Sequence, residues 1–340
     1  MSRPFFSLII PCYNTGDKFK RILDSLSRQN ISGKDLEIIV VDDNSTDVSY
    51  QCFLTDCEYH VVIVSTDTNI HCPGNSRRKG MEYITGKWVC FCDHDDYFED
   101  NALFTVKSYI ESLNHKSYVV STIMREYDEE KHCYGETFAH KQAWLHGKFY
   151  NVDTLIRPYK INFRKNLVTH EDIYFNSAVL SVLYSLRTTW DLLDVCTYRW
   201  VDDANSITRV ERTDRGYLYE NFNDYLIAAA EPFWDRALKT RQWVYGNQLM
   251  MTILHAYFYY EAASYNEGAM AYKDVLEYIR KFVQRFISEF EIRAEDIIDF
   301  VYADPNKYEL VMADCCICVG KFIPKTSFRD FILRLTDSKC

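Results

Sequence analysis

The feature that most constrains the fold is a series of short apolar runs that alternate with helical patterns in the first part of the chain. The four runs are Phe5–Pro11, Leu36–Val41, His60–Ser65 and Trp88–Cys92. Continuous apolar runs of this length are typical of strands that are covered on both faces of a sheet. Helical spacing of apolar residues between the runs, as in Asp17–Gln29, indicates crossover helices. The alternation predicts an α/β fold with a mostly parallel, Rossmann-like sheet flanked by helices.

Polar residues stand where these predicted strands end. Tyr13 and Asn14 follow the first strand, Asp42 and Asp43 follow the second, and Asp93 follows the fourth. In open parallel sheets, ligands bind beyond the carboxyl ends of the strands. The sequence therefore predicts one site at this edge of the sheet.

The second part of the chain has a different pattern. Long helical stretches are predicted at Tyr217–Arg236, Lys239–Tyr265, Tyr272–Phe290 and Ala294–Tyr302. We place a domain boundary near Thr213, with a first domain at 1–213 and a mainly helical region at 214–340. The helical region is expected to bind a substrate or to form a homo-oligomer, and plain packing of its many aromatic side chains is the alternative.

Composition restricts the partners and the compartment. The net charge of −10 disfavours a protein whose whole surface binds nucleic acid or anionic membrane. The twelve cysteines lack the paired spacing of zinc sites or disulfide frameworks, which is typical of reduced thiols in the cytoplasm. No apolar run reaches the roughly 20 residues that span a bilayer, and the N-terminus lacks signal-peptide anatomy. We expect a cytoplasmic protein without a transmembrane segment, with peripheral attachment at the inner membrane face left open.

The strongest local pattern is Asp93-His94-Asp95-Asp96, directly after a predicted buried strand. Three carboxylates in four residues repel one another unless a cation or strong donors compensate. Oxygen ligands on a short turn suit Mn²⁺ or Mg²⁺ bound together with substrate phosphates. Helix capping is the alternative, but capping explains one aspartate and not three.

Other candidate residues are weaker when taken singly. The Asp42–Asp43 pair can accept hydrogen bonds from a base or a ribose, but it also fits a loop with a helix cap, or the phosphoacceptor pocket of a receiver domain. Tyr13 can stack on a base or lie buried. Asp172, at the start of a predicted helix, can act as a general base or as a cap.

Taken together, these segments resemble family 2 glycosyltransferases with the GT-A fold. The resemblance is carried by Phe6–Asn14, Glu37–Asp47, Asn69–Gly80, Trp88–Phe98 and His170–Phe175, with further similarity at Gly147–Phe163 and Tyr198–Thr208. It covers roughly residues 4–210. It implies a nucleotide-sugar half at about 1–125 and an acceptor half at about 126–213.

The resemblance assigns one group of residues to the nucleotide. Pro11 and Tyr13 would line the base, and Asp43 would accept a hydrogen bond from its imide edge. Asp42 occupies the adjacent family position, whose role is less settled. Arg77 matches the family's arginine near the base and phosphate.

A second group is assigned to the metal and the chemistry. Asp93 and Asp95 match the DxD motif, with Asp93 toward the ribose and Asp95 on the metal, and Asp96 completes the acidic turn. Asp172 corresponds to the general base, and Glu171 beside it would help to bind the acceptor.

The resemblance extends to Ser206, and the sequence departs from the family pattern at two places. Ser206 lies in a loop that approaches the diphosphate or acceptor in relatives. His94 stands in the middle of the DxD motif, where relatives mostly carry a small residue, which puts the shape and ligands of the metal turn in question. Ser76-Arg77-Arg78 replaces Ala-Arg-Asn but keeps the arginine.

The resemblance implies an inverting transferase that uses a UDP-sugar donor with Mn²⁺ or Mg²⁺. The expected acceptor is a hydroxyl of a cell-envelope polysaccharide or a teichoic-acid-like polymer, and the sugar is a hexose or an N-acetylhexosamine. A hydroxylated base in DNA is an alternative acceptor that the negative charge disfavours. One alternative class is a nucleotidyltransferase, but this chain lacks the Gly- and Lys-rich loop that such an enzyme would carry near its N-terminus. The other is an inactive transferase-like binding protein.

Overall fold

A computed structural model describes most of the chain. The described residues are 3–55, 57–69, 72–128, 131–140, 143–202, 222–240, 243–264, 271–304, 308–312, 315–318, 321 and 323–336. The chain divides into two units, Met1–Val210 and Glu211–Cys340. The boundary predicted near Thr213 lies outside the described residues.

The first unit is built on one sheet, which has nine strands within the described residues. The strands are β1 Phe6–Cys12, β2 Leu36–Asp42, β3 His60–Ser65, β4 Trp88–Phe91, β5 Tyr97–Phe98, β6 Val119–Asp128, β7 Cys133–Ala139, β8 Lys148–Asn151 and β9 Asp191–Asp202. Their order is β3-β2-β1-β4-β8-β6-β9-β5, and β7 pairs with β6. Strands β3, β2, β1 and β4 are parallel, as predicted.

Beyond β4 the sheet becomes mixed. Strand β8 is antiparallel to both β4 and β6, β6 is parallel to β9, and β5 and β7 are antiparallel additions. Proline has no backbone N–H, yet Pro11 fits into the central strand β1. The pairing of β1 with β4 ends at Ile9 and Phe91, so no backbone N–H is needed from Pro11 on the side that faces β4. The expected parallel sheet is therefore one part of a larger mixed sheet.

Five α-helices accompany this sheet within the described residues. They are α1 Phe19–Leu26, α2 Pro73–Gly80, α3 Ala102–Ser112, the short α4 Arg157–Tyr159 and α5 Glu171–Ser185. Helix α2 lies close on the sheet at Gly80, where a Cβ atom would come within 2.7 Å of Ile9 Cγ2. This close approach fixes the helix that carries Arg77 against the ends of β1 and β2.

Apolar side chains cover both faces of the sheet, which explains the continuous apolar runs. In β1, Leu8 and Ile10 pack into one core with α1 and α3, whereas Ile9 packs into the other core with α5. Alternate residues of a strand point to opposite faces, so a strand covered on both sides has no polar alternation. Both cores lie beneath the strand ends where the predicted site falls.

The second unit is mainly helical within the described residues. Its elements are α6 Phe222–Thr240, α7 Trp243–Ser264, α8 Ala271–Phe290, α9 Ala294–Tyr302, a hairpin of β10 Glu309–Met312 and β11 Cys315–Cys318, and α10 Lys325–Thr336. Trp234 is buried against Phe286 and Phe290 of α8, as in ordinary helix packing. None of the helices in the described residues is long and apolar enough to cross a membrane. A substrate-binding or oligomerising role for this unit stays a prediction.

A buried carboxylate ties β1, β2 and the loop before β4 together. Glu37 is 1% exposed and accepts hydrogen bonds from the Ser7 hydroxyl, from Thr85 N at 2.6 Å and from Gly86 N at 3.0 Å. Replacing Glu37 with Ala would leave these buried donors without an acceptor. We expect the free energy of unfolding of the first unit to fall by about 3 kcal/mol, measured by urea denaturation.

The matched control is Glu82→Ala, which removes a half-exposed carboxylate paired with Lys79. It should change the free energy of unfolding by less than about 1 kcal/mol. Equal losses in the two variants would show that the Glu37 network does not stabilise the sheet.

Candidate active site

The acidic turn after β4 is held by residues from distant parts of the chain. The Tyr198 hydroxyl donates to Asp96 Oδ2 at 2.7 Å, and Val201 N donates to Asp96 Oδ1 at 2.8 Å. The His146 ring stacks on the Tyr198 ring at 4.8 Å between centroids, and His146 Nε2 lies 3.4 Å from Asp93 Oδ1. Strand β9 and the segment before β8 therefore position the turn.

The carboxylates of the turn affect one another strongly. Burial raises the pKa of Asp96 well above its ordinary value, and the charges of Asp95 and Asp93 act in the same direction. Burial alone would also raise the pKa of Asp93, but Arg77 and His146 outweigh it and hold that pKa well below its usual range. A cation at the turn would favour the ionised form of these crowded carboxylates.

Arg77 joins this turn to the start of α5. Its guanidinium is 3% exposed and donates to Asp93 Oδ1 at 2.5 Å and to Glu171 Oε1 at 2.6 Å. Gly74 permits the approach, because a Cβ atom there would lie 2.8 Å from Glu171 Cβ. Since buried ion pairs are strongly directional, the bridge places Glu171 and its neighbour Asp172 beside the acidic turn.

Asp172 has the properties of a base that works near neutral pH. Burial raises its pKa to about 7, and the charge of Glu171 adds to the effect, whereas Arg77 and Lys148 lower it. Lys148 is 2% exposed, and burial lowers its pKa to about 7 while Asp172 opposes that shift. A carboxyl whose pKa lies near the working pH combines a useful ionised fraction with useful basicity.

The two aspartates at the end of β2, Asp42 and Asp43, have different hydrogen-bond partners. Asp42 is buried, with Oδ2 accepting from the Tyr50 hydroxyl at 2.8 Å and Oδ1 accepting from Ser45 N at 2.8 Å. Both of its oxygens therefore hold the loop that follows β2. Asp43 is 6% exposed, and its Oδ1 accepts from the Thr66 hydroxyl at 2.9 Å at the end of β3.

The turn after β1 is built around Asn14. Its backbone has a φ of 47°, and its Oδ1 accepts from Thr46 N at 2.9 Å and from Asp47 N at 3.0 Å. Tyr13 next to it is 39% exposed, whereas Pro11 is buried inside β1. Tyr13 therefore presents an exposed ring on which a base can stack, and the role of Pro11 stays a prediction.

The strand ends lie within electrostatic reach of one another. Burial raises the pKa of the Cys12 thiol at the end of β1, and the charges of Asp42, Asp93 and Asp95 act in the same direction. Glu171 and Asp43 likewise both raise the pKa of Cys72, after burial as the main cause. Asp42, Asp93 and Asp95 therefore lie near the end of β1, and Asp43 and Glu171 lie near the start of α2.

One predicted residue, Ser206, lies outside the described residues, and its role stays a prediction. The structure adds three residues that the sequence reasoning missed: His146, Lys148 and Tyr198. Tyr198 carried a usable signal, since it stands in a segment of family similarity. Lys148 carried the same signal, since it stands in the similar segment Gly147–Phe163. His146 has no local pattern that separates it from an ordinary loop residue.

The turn also fits a divalent cation. Asp93, Asp96 and His146 each offer a ligand atom, and these atoms lie within 4.8 Å of one another. His146 Nε2 is buried, and it lies 3.4 Å from Asp93 Oδ1 without the geometry of a hydrogen bond. The Asp95 side chain, predicted as the main ligand, is outside this group, is half-buried, and accepts no hydrogen bond from the described residues.

The sequence profile of glycosyl transferase family 2 matches residues 7–183, and the chain belongs to this family. One relative is the poly(ribitol-phosphate) beta-N-acetylglucosaminyltransferase TarS of Staphylococcus aureus, 29% identical over 187 residues that cover 54% of this chain and 31% of TarS. Another is the poly(ribitol-phosphate) beta-glucosyltransferase of Bacillus spizizenii, 36% identical over 99 residues, 28% of this chain and 16% of that protein. The chain thus spans less than a third of the length of these two relatives.

A third relative is the amylovoran biosynthesis glycosyltransferase AmsB of Erwinia amylovora, 33% identical over 112 residues that cover 32% of this chain and 36% of AmsB. Among solved structures, residues 1–349 of S. aureus TarS in complex with UDP-GlcNAc match with a TM-score of 0.62 at 17% identity, covering 88% of this chain and 86% of that one. At that identity the match shows the fold alone, and it confirms the GT-A fold with its helical C-terminal region.

Proposed function

We propose that this protein is an inverting glycosyltransferase that moves a sugar from a UDP-sugar to a hydroxyl of a cell-envelope polymer. The observation that carries the proposal is the Arg77 bridge between Asp93 and Glu171. This bridge brings an acidic turn suited to a nucleotide diphosphate next to a carboxyl suited to take up a proton. A transferase needs both groups on opposite sides of the same sugar carbon.

The reaction is a single displacement. The acceptor oxygen forms a bond to the anomeric carbon as the bond from that carbon to the diphosphate oxygen breaks, and the electron pair leaves with UDP. Asp172 takes the proton of the acceptor hydroxyl. Asp43 and Tyr13 hold the uracil, and Arg77 orients Asp93 and the start of α5. Attack from the face opposite UDP inverts the anomeric centre.

Mn²⁺ or Mg²⁺ would be held by Asp95 together with Asp93. Its chemistry would be to offset the negative charge that develops on the leaving diphosphate. Asp95 is favoured because its carboxylate is not engaged by a described residue, whereas both oxygens of Asp96 accept hydrogen bonds. His146 lies beside the same turn and completes the set of candidate ligands.

The acceptor proposal draws on the relatives. Their names specify glucosyl or N-acetylglucosaminyl transfer to poly(ribitol phosphate), or biosynthesis of the polysaccharide amylovoran. Structures of TarS are described in complex with UDP and with UDP-GlcNAc. We therefore place the protein in the cytoplasm, where nucleotide-sugars are made, acting on an envelope polymer at the membrane face.

The direct test is slow hydrolysis of the donor. We expect the purified chain with Mn²⁺ to release UDP from UDP-glucose or UDP-N-acetylglucosamine, measured by chromatography, and to release none after a chelator removes the metal. A nucleotidyltransferase or an inactive homologue would release no UDP from any UDP-sugar in the panel, with or without metal. That result would contradict the proposal.

A further inference from the structure

Three aromatic side chains form a cluster next to the acidic turn. Ring centroids are 4.4 Å apart for Phe138 and Trp144, 6.1 Å for Trp144 and Trp200, and 6.4 Å for Phe138 and Trp200. All three side chains pack on the core and are half-buried. We refer to these residues as the aromatic cluster.

The aromatic cluster continues a row that starts at the turn. Trp200 follows Tyr198 by two residues in β9, so both side chains lie on the same face of the strand, about 7 Å apart along it. Trp144 lies two residues before His146, in the segment that leads into β8. Tyr198 contacts Asp96 and stacks on His146. The aromatic cluster therefore lies next to the residues that hold the acidic turn, where the proposed function places the diphosphate.

The segment that carries Trp144 is also fastened to the helix of the proposed base. Asn176 Nδ2 of α5 donates to Ala143 O at 3.0 Å, and Lys148 Nζ donates to Trp144 O. Lys148 in turn interacts electrostatically with Asp172. The cluster is therefore built into the acceptor side of the site, whereas the nucleotide residues Tyr13 and Asp43 stand at the ends of β1 and β2.

The chemistry of the cluster favours a neutral ring over a phosphate. Aromatic rings pack against the C–H face of a pyranose, whereas a phosphate needs cationic donors. Arg199 of β9 alternates with Tyr198 and Trp200 and so points to the opposite face. There its guanidinium is paired with Glu99 at 2.6 Å and lies 4.7 Å from the Tyr134 ring centre.

We propose that Phe138, Trp144 and Trp200 form an acceptor subsite that binds a neutral pyranose ring, so that the acceptor carries sugar rings at the point of transfer. This proposal rests on the function proposed above and names the chemistry of its acceptor. A polymer of sugar residues satisfies it, and a bare polyol phosphate does not.

The test uses maltotriose and chitotriose as ring-containing probes and ribitol 5-phosphate as a ring-free probe. Binding to the full chain with UDP and Mn²⁺ is measured by saturation-transfer NMR and calorimetry. We expect at least one trisaccharide to bind, and Trp200→Ala to weaken that binding by about tenfold. Trp200→Phe should retain most of it, and UDP affinity of Trp200→Ala should stay within about twofold of wild type.

Phe104→Ala is the matched control, because Phe104 is a 50% exposed aromatic residue of α3 outside the cluster. It should not change trisaccharide binding. Should Trp200→Ala lose UDP binding through misfolding, Trp144→Ala provides the same test. Failure of both trisaccharides to bind, or binding that is insensitive to the tryptophan substitutions, would overturn the subsite. Absence of UDP release by the wild type would instead overturn the proposed function.

Discussion

Replacing Asp172 with asparagine should lower the rate of sugar transfer by about 10²–10⁴-fold, the usual contribution of a positioned base. Asparagine keeps the size of the side chain but cannot take the proton from the acceptor hydroxyl. UDP affinity should change by no more than about twofold, because the proposed nucleotide contacts come from other residues. The measurement is product formation by mass spectrometry, with UDP binding followed by calorimetry.

A second readout separates a base from a merely structural carboxyl. Since the pKa of Asp172 is raised to about 7, the wild-type rate should fall as the pH drops through about 7 and protonates it. The residual rate of Asp172→Asn should lack this fall. Asp100→Asn, which neutralises an exposed carboxylate paired with Arg28, is the control and should behave as wild type. Transfer at the wild-type rate by Asp172→Asn would remove Asp172 as the base.

Replacing Asp95 with alanine should abolish the effect of the metal on UDP binding. In the wild type we expect Mn²⁺ to tighten UDP binding at least about tenfold, because a cation held by Asp95 would offset the negative charge of the diphosphate. In the variant, affinity with and without Mn²⁺ should be the same and close to the metal-free wild type. Calorimetric titration with UDP in Mn²⁺ and in chelator measures both values.

Asp100→Ala serves again as a matched control and should keep the full Mn²⁺ effect. A tightening by Mn²⁺ in Asp95→Ala equal to that of the wild type would show that Asp95 is not a ligand. The group of Asp93, Asp96 and His146 would then be the metal site.

The sequence predicted the parallel part of the fold well because its signal is local. Each of β1 to β4 is a nearly continuous apolar run with polar residues at its end. The run predicts a strand buried on both faces, and the polar residues predict the edge of the sheet where a ligand binds. Helix α1 is shorter than the predicted range Asp17–Gln29. Helix α1 is preceded by a separate turn at Gly16–Lys18, and α2 ends at Gly80 although apolar residues continue to Ile84.

The acceptor side of the site could not be predicted in this way. His146 reaches Asp93 only because β8 pairs antiparallel with β4, and Tyr198 reaches Asp96 only because β9 lies beside β5 and β6. Neither pairing leaves a periodic signal in the sequence. The ion pair of Arg77 with Glu171 likewise depends on packing of α2 against α5, and the acceptor-binding role of Glu171 stays a prediction.

The central claim is that the acidic turn and the start of α5 form one site for a metal-bound nucleotide and a base. A crystal structure with UDP and Mn²⁺, with anomalous scattering recorded at the manganese edge, tests it most directly. We predict a single strong manganese peak within bonding distance of the Asp93–Asp96 turn, with the UDP diphosphate between it and Asp172. A manganese peak elsewhere, or UDP bound away from this edge of the sheet, would contradict the account.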